Sequence, residues 1–379
     1  GSINNAGGTV QAQTNTLLLT TDGILNNQSG TIVHSGTDGL ILNASQLQQQ
    51  HGAIQTGGML VIDTAGILDN REGTLQATQY QITSGALDNT DGTISASGGS
   101  AAGNADSQIQ TGTLNNTRGL LAANGSGLAI TASTLFNNQG NILQAGLGVL
   151  RIDATTLTNT SSDIVNNGRI VGNGAIDINL TGALQNSGVI SAAQLLDIDA
   201  RAVTNSGNGL LGSRAGAVVI DAATLTNSAT ISGVTATTLT TNTLNNQGGY
   251  IQSDGTVTIN TGQLTAGLVT GQNISATVRS ALTLGNQEQL QATNNLDLKT
   301  SGSLTNSGNI IGGNQLLLSS TTIDNLQGGT IKAGSLATLT TGTLTNSGTI
   351  GSGHTLNLNL LGENSINHGT IAANNTLNI

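Results

Sequence analysis

The fold is decided by a short repeated stretch that reads Leu344-Thr345-Asn346-Ser347-Gly348-Thr349-Ile350 in one copy and Leu304-Thr305-Asn306-Ser307-Gly308-Asn309-Ile310 in another. The shared pattern is Leu-x-Asn-x-(x)-Gly-x-Ile. Further copies span Ile24–Ile32, Leu68–Leu75, Leu87–Ile94, Leu114–Leu121, Leu135–Ile142, Leu184–Ile190, Val203–Leu211, Leu225–Ile231 (with Ala229 in place of Gly), Leu244–Ile251 and Ile323–Ile331. Successive copies lie about 19–22 residues apart, a period typical of solenoids and other repeat arrays.

Each copy is accompanied by a segment in which apolar and polar residues alternate. Leu150-Arg151-Ile152-Asp153 is one example, and the alternation is typical of a strand with one buried face. The same apolar pair recurs at Leu40/Leu42, Leu60/Ile62, Leu128/Ile130, Ile176/Ile178, Leu196/Ile198, Val218/Ile220, Val257/Ile259, Leu296/Leu298, Leu316/Leu318 and Leu356/Leu358. Gly, Thr and Asn are poor in helix interiors. We therefore predict an all-β fold, a parallel β-helix (β-solenoid) of three-strand coils of about 20 residues each.

Stacking of such coils predicts a long array. If each coil rises by one strand spacing, about 18 coils make a rod on the order of 85–90 Å. A lone coil should not fold, because its ladder hydrogen bonds exist only with neighbouring coils.

The Asn and Gly of the repeat suit corners between strands. Asn tolerates left-handed backbone angles and binds nearby backbone, stacked Asn amides can form a ladder, and Gly supplies positive φ without steric cost. We assign this structural corner role to Asn70, Gly73, Asn89, Gly92, Asn186, Gly188, Asn306, Gly308, Asn346 and Gly348.

The repeat is irregular in three places. We interpret Gly1-Ser2 as a cloning scar and residues 3–379 as a single continuous β-helix. A loop insertion is predicted near 97–107 and an irregular coil near 160–168. The repeats near 264–290 are degraded, and we expect a bent or loosened coil there. Loops on a rigid scaffold often carry binding function, although a tolerated insertion explains the same pattern.

Composition argues against several classes of function. Nine basic and nineteen acidic residues give a net charge of −10, which disfavours nucleic acid and anionic membranes as partners. No apolar run approaches the roughly 20 residues of a membrane span. The chain has no Cys, and its four His residues lie in different repeats, so a zinc site is not expected. We predict no catalytic residue, no metal site and no cofactor.

Two groups of residues are candidates for binding. Asp177, Asp197, Asp199 and Asp221 are predicted to face outward, with Asp177 stacked on Asp197 and Asp199 stacked on Asp221. Such carboxylates could form a solvated face, bind a cation weakly, or act as the acid/base pair of a β-helical polysaccharide-processing enzyme. The second group comprises Ser97, Asn104 and Asp106 in the loop insertion.

The pattern Leu-x-Asn-x-x-Gly-x-Ile, followed by a Leu-x-Ile-x-Ala/Thr strand, resembles the filamentous haemagglutinin repeat, and the resemblance covers nearly the whole chain. It implies a right-handed parallel β-helix from the stalk region of a two-partner secretion exoprotein, either an adhesin or a contact-dependent growth inhibition toxin. The Asn-Pro-Asn motifs of the family's secretion domain are missing, since the chain has no Pro.

The resemblance implies a function and partners. The expected function is a rigid stalk segment of a secreted Gram-negative surface exoprotein, associated with the outer membrane, that projects a distal adhesive or toxin region toward host or target cells. The alternative is a segment that itself binds a receptor or glycan. The expected partners are an outer-membrane transporter during export and a cell-surface receptor or glycan. Uncovered end coils also predict end-to-end self-association.

Overall fold

The computed structural model of the chain describes residues 1–98, 106–162 and 168–379. The chain divides into two compact units, Gly1–Arg201 and Ala202–Ile379. Both are parallel β-solenoids, with about 17 turns in all, and the described residues contain no helix. The predicted fold class is confirmed. That residues 3–379 form one continuous β-helix stays a prediction.

The strands of the first unit are short and closely spaced. They are β1 (Ile3–Asn4), β2 (Thr9–Ala12), β3 (Thr16–Thr20), β4 (Ile24–Asn26), β5 (Thr31–His34), β6 (Gly39–Ala44), β7 (Gln46–Gln48), β8 (Ala53–Thr56), β9 (Met59–Asp69), β10 (Thr74–Ala77), β11 (Gln79–Asp88), β12 (Thr93–Ala96), β13 (Ser107–Asn115), β14 (Leu120–Ala123), β15 (Leu128–Phe136), β16 (Asn141–Gln144), β17 (Leu150–Asn159), β18 (Arg169–Gly172), β19 (Ile176–Asn186), β20 (Val189–Ala192) and β21 (Leu196–Asn205), which begins in this unit.

The second unit continues with the same alternation of short and long strands. They are β22 (Leu210–Ser213), β23 (Ala217–Asn227), β24 (Thr230–Gly233), β25 (Ala236–Asn245), β26 (Tyr250–Thr265), β27 (Leu268–Val278), β28 (Leu282–Leu284), β29 (Gln289–Thr300), β30 (Leu304–Asn306), β31 (Asn309–Gly312), β32 (Gln315–Asn325), β33 (Thr330–Ala333), β34 (Leu336–Asn346), β35 (Thr349–Ser352), β36 (Thr355–Leu360), β37 (Ile366–Asn367), β38 (Thr370–Ala373) and β39 (Thr376–Asn378).

Each strand pairs in parallel with its equivalent one coil away. β10 pairs with β12 so that Leu75 lies beside Ile94, and β11 pairs with β13 so that Leu87 lies beside Leu114. These four side chains are buried. Because the register is kept from coil to coil, the repeated Leu and Ile residues form continuous apolar columns inside each unit. Their burial supplies the hydrophobic stabilisation of the solenoid.

One interior position holds a much larger side chain. Tyr80 is in register with Leu60, is only 1% exposed, and its hydroxyl donates to the carbonyl oxygen of Ala122 at 3.4 Å. Burial raises the pKa of the Tyr80 phenol, because the charged form is poorly solvated inside the protein. The interior of the solenoid therefore accommodates an aromatic ring at a position where its hydroxyl reaches a backbone acceptor.

A column of side-chain amides, most of them buried, runs along one corner of each unit. In every link, the Nδ2 of one corner Asn donates to the side-chain oxygen of the corner residue one coil further along the chain, at 2.6–2.8 Å. We call this column the amide ladder. Its segments are Asn5–Asn27–Gln49, Asn70–Asn89–Asn116–Asn137–Asn159–Asn186, Asn205–Asn227–Asn246 and Asn306–Asn325–Asn346–Asn367.

The left-handed backbone of these corners does not lie where the sequence pattern suggested. In the corner Asn70–Gly73 the positive φ belongs to Glu72, at 56°, and in the next corner it belongs to Asp91, at 55°. The corner glycine is required instead because it lies against the preceding coil. A Cβ on Gly92 would lie 2.2 Å from the carbonyl oxygen of Asn70, closer than any side chain tolerates.

Two of the predicted irregularities are insertions at corners. Ser97 and Asp106 lie outside strands, whereas Ser107 is the buried first residue of β13 rather than part of the loop; residues 99–105 lie outside the described residues. Near 160–168 the corner is made by Asn159 and Gly168, whose amide nitrogen donates to the carbonyl oxygen of Thr160 at 2.9 Å. Residues 163–167 lie outside the described residues.

Near 264–290 the strands stay paired, but the register of β27 with β29 shifts between Gly271 and Asn273, and the chain leaves the strand between Val278 and Leu282. Ile259 is in register with Ala276, and Ala276 with Leu298, and all three are buried. At the corner, Ala266 takes the place of the ladder Asn, and its side chain is buried.

The ladder generates a first prediction. Replacement of Asn116 by Ala removes the acceptor of the Asn89 Nδ2 and the donor to the Asn137 Oδ1, both at buried positions. Unsatisfied buried polar groups are costly, so we expect a loss of about 1–3 kcal/mol in the free energy of unfolding measured with urea. Asn124→Ala at an exposed position is the control, with an expected change within about 0.5 kcal/mol. Equal effects of the two changes would contradict a stabilising ladder.

The corner glycines generate a second prediction. Gly92→Ala places a methyl group against the Asn70 carbonyl and 2.6 Å from the Asn89 Oδ1. We expect a loss on the order of 1–3 kcal/mol from overpacking, measured by thermal and urea unfolding. Gly125→Ala is the matched control, because a Cβ there has no atom within 4 Å. If Gly92→Ala were as stable as Gly125→Ala, close approach would not explain the corner glycine.

Candidate functional site

The candidate acidic residues of the first unit lie on one outward strand face. Arg151 is in register with Asp177, and Asp153 with Asn179. The Arg151 Nε lies 3.1 Å from the Asp177 Oδ2, and the Asn179 Nδ2 donates to the Asp177 Oδ1 at 2.9 Å and to the Asp153 Oδ1 at 3.3 Å. Asp177 is therefore held by an ion pair with Arg151 and by the side-chain amide of Asn179.

The surroundings of Asp197 shift the pKa of its carboxyl. Partial burial raises the pKa of its carboxyl, and the nearby carboxylates of Asp177 and Asp199 raise it further, since like charges disfavour ionisation. Asp177 and Asp199 thus lie near Asp197, whereas the stacking of Asp177 on Asp197 and of Asp199 on Asp221 stays a prediction. No group of metal-ligating side chains among residues 1–98, 106–162 and 168–379 could hold a metal ion.

Asp221 lies in the second unit and has different neighbours. It is exposed and in register with Thr240, and it borders a cavity of about 280 Å³ together with Arg279. Arg279 donates to the Asn260 Oδ1 at 2.6 Å and to the Thr241 carbonyl oxygen at 3.2 Å. This part of the face is therefore mixed in charge.

The described ends of the loop insertion are tied to neighbouring coils. The Ser97 Oγ donates to the Ala77 carbonyl oxygen at 3.4 Å, and the Asp106 Oδ1 accepts from the Ser126 Oγ at 3.2 Å. Asn104 lies outside the described residues. Both described candidates are engaged in local structure, so whether the loop binds a partner stays a prediction.

A polar groove that the sequence did not reveal runs along the first unit. It has a volume of about 870 Å³, and its wall is the outward column of one residue per coil: Thr83, Gln110, Thr131, Asp153, Asn179 and Asp199. On its floor the Ser84 Oγ donates to the Thr111 Oγ1 at 3.0 Å. The signal in the sequence was the outward position of each alternating strand, which becomes a continuous wall only when the register is known.

Ion pairs between neighbouring coils were also missed. Arg118 donates to both carboxylate oxygens of Asp91, at 2.8 and 2.6 Å, and this hydrogen bonding lowers the pKa of the Asp91 carboxyl. His51 lies 3.3 Å from Glu72 at the equivalent position of other corners. All four residues have positive φ. They form an exposed polar ridge, and the contacts of each pair join neighbouring corners.

The repeat and the register together define a repeat-built β-solenoid, a class of protein that grows by adding equivalent coils. Among known families, the haemagglutinin repeat matches residues 1–37, 28–72, 64–140, 100–160, 147–214, 196–277 and 270–379. Because these matches cover the whole chain, the chain belongs to the haemagglutinin repeat family. No curated protein and no solved structure matches it. Within the described part of the chain, no helix is long and apolar enough to cross a membrane.

The environment of Asp197 generates a third prediction. Because its pKa in the folded chain lies above the ordinary value of 3.8, the folded state binds the proton more tightly than the unfolded state. The free energy of unfolding therefore falls as pH rises through this window. At pH 7, the free energy of unfolding of Asp197→Asn, measured with urea, should exceed that of the parent by less than about 1 kcal/mol. This difference should vanish near pH 3.

The matched control is Asp254→Asn, an exposed carboxylate in the second unit. A pH dependence common to both substitutions would be a general effect of removing one negative charge. A destabilised Asp197→Asn at pH 7 would show that the carboxylate is held by favourable contacts, contrary to the repulsion described above.

Proposed function

We propose that this chain is a rigid stalk segment of a secreted surface exoprotein. The observation that carries the proposal is the repetition of one structural unit within each of the two compact units. In the described residues of each unit, neighbouring coils are joined by parallel strand pairing, and corner amides add hydrogen bonds between coils. An array of this kind resists bending because its strand ladders would have to break.

We propose that the stalk projects a distal adhesive or toxin-bearing region from a Gram-negative cell. The membership of the haemagglutinin repeat family supports a secreted exoprotein, and adhesins and contact-dependent growth inhibition toxins are the two kinds considered. Export through an outer-membrane two-partner secretion transporter is the proposed route. The absence of Cys from the sequence suits passage through an oxidising compartment, where thiols could mispair.

We propose that the chain acts without catalysis. The carboxylate that best resembles an acid/base group, Asp197, has as neighbours an ion-paired Asp177 and a solvent-exposed Asp199. No aromatic residue lines the adjoining groove, whereas sugar-processing sites commonly stack the substrate on aromatic rings. The family is described as a repeat and not as an enzyme.

The stalk proposal generates a fourth prediction. Leu114, Leu135 and Leu157 are in register in successive coils, so deletion of residues 114–156 removes two whole coils and rejoins equivalent strands. In the parent exoprotein displayed on its own cell, this variant should be exported and should bind target cells as before, with the stalk shortened by roughly 10 Å. Surface immunolabelling and a cell-binding assay measure the two properties.

A deletion of residues 114–123 serves as the control for register. It removes part of one coil, places strands against corners, and should abolish display, because the ladders cannot re-form. Loss of target binding by the two-coil deletion, with display unchanged, would show that the deleted coils bind the target themselves and would overturn a spacer role for them.

A further inference from the structure

The amide ladder of the second unit stops between Asn246 and Asn306. The Asn246 Nδ2 donates to the Ala266 carbonyl oxygen at 2.6 Å, and Leu284 is in register with Asn306. Two successive coils thus carry an apolar residue at the ladder position, and both are buried. The corner that follows the ladder position is freed from the constraint that a stacked amide imposes.

The corners at this interruption differ in length and leave a notch. Tyr250, Leu268 and Gln289 are in register at the starts of β26, β27 and β29, which lie in three successive coils. Before Tyr250 the corner contains Gln247–Gly249, before Gln289 it contains Gly285–Glu288, but before Leu268 it consists of Gly267 alone. A short corner between two longer ones produces a cavity of about 430 Å³, within the range of small-molecule sites.

One wall of the notch is apolar and flat. Tyr250 is 52% exposed and lies directly beside Leu268, and both line the cavity. The equivalent residue one coil earlier is Thr230, so the fold does not require an aromatic ring here. An exposed tyrosine at a cavity presents a rigid apolar face together with a hydroxyl that can bind a ligand.

The remaining walls are polar and nearly uncharged. The side chains of Gln247, Asn286 and Gln287 line the cavity, are exposed, and within the described residues make no side-chain hydrogen bond. Each offers two donors and an acceptor. Glu288 is the acidic side chain of the wall. Its carboxylate accepts from the backbone nitrogens of Gly285 at 2.9 Å and Gly267 at 3.3 Å, and these bonds fix the floor.

A pyranose ring matches this combination. It has a patch of C–H groups that packs on an aromatic ring, and hydroxyls around its edge that pair with side-chain amides. The single carboxylate and the net charge of −10 disfavour an anionic sugar, because like charges repel. We propose that the notch binds a neutral sugar residue, a hexose or an N-acetylhexosamine, with its ring stacked on Tyr250. This site is independent of the spacer role proposed above.

The test uses the full chain and simple sugars. Methyl β-glycosides of glucose, galactose and N-acetylglucosamine are titrated in saturation-transfer NMR, with N-acetylneuraminic acid as the anionic comparison. We expect at least one neutral glycoside to bind with a Kd on the order of 1 mM, typical of a small site of this kind, and the anionic sugar not to bind. The tyrosine resonances should shift at Tyr250 and not at the buried Tyr80.

The variant Tyr250→Thr introduces the residue type that the preceding coil has at this position, Thr230. It should therefore fold normally. It is expected to raise Kd at least about fivefold. This change corresponds to the loss of roughly 1 kcal/mol of stacking on the aromatic ring. Leu317→Thr removes an exposed apolar side chain outside the notch and should leave Kd unchanged. Absence of binding by all three neutral glycosides at about 10 mM, or equal binding by the Tyr250→Thr variant, would overturn the site.

Discussion

Every coil of this protein depends on hydrogen bonds that only its neighbours can supply. The backbone nitrogen of Asn89 donates to the Asn115 carbonyl oxygen at 2.8 Å, and that of Thr93 donates to the Gly73 carbonyl oxygen at 2.8 Å. A single turn with a few buried Leu and Ile side chains cannot offset the entropy of ordering its backbone. The stability of each coil therefore depends on its register with the neighbouring coils. A residue contributes to this stability through its contacts with the equivalent residues on either side.

This dependence explains where the chain tolerates irregularity. The strands must match in length from coil to coil, but a corner need only return the chain to the next strand. Between Asn159 and Gly168 the chain carries additional residues, while Asn159 still donates to Asn186 and to the Gly168 carbonyl oxygen. At Gly267 the corner is shortened instead. Surface features that could recognise a ligand arise from such differences in corner length.

The sequence predicts much of the fold because its pattern is local. Leu150 and Ile152 alternate with Arg151 and Asp153, and the structure buries the first pair and turns the second outward. A period of about 20 residues then suffices to place equivalent positions beside one another. The outward face around Asp177 and Asp197 could be predicted for the same reason.

The features that could not be predicted depend on several coils at once. The positive φ of Glu72 falls at a position whose residue varies between corners, so no single residue type marks it. The pairing of Arg118 with Asp91 requires the register and the length of the intervening insertion. The notch beside Tyr250 exists only because its corner is shorter than both neighbours, a relation between coils rather than a property of any one segment.

The amide ladder has one further consequence, which is a direction. Each Nδ2 points toward the C-terminal neighbour, as Asn116 does to Asn137 and Asn325 does to Asn346. The orientation is fixed because the same nitrogen also donates to a carbonyl oxygen of its own corner, as Asn116 does to Gly119 at 3.3 Å. The dipoles of the side-chain amides therefore point in the same direction along each segment of the ladder. If a solenoid folds from its N-terminal side, its growing edge presents an unpaired side-chain amide donor to the next coil. If it folds from its C-terminal side, the growing edge presents a side-chain acceptor instead. The two edges therefore pair with the next coil through different groups.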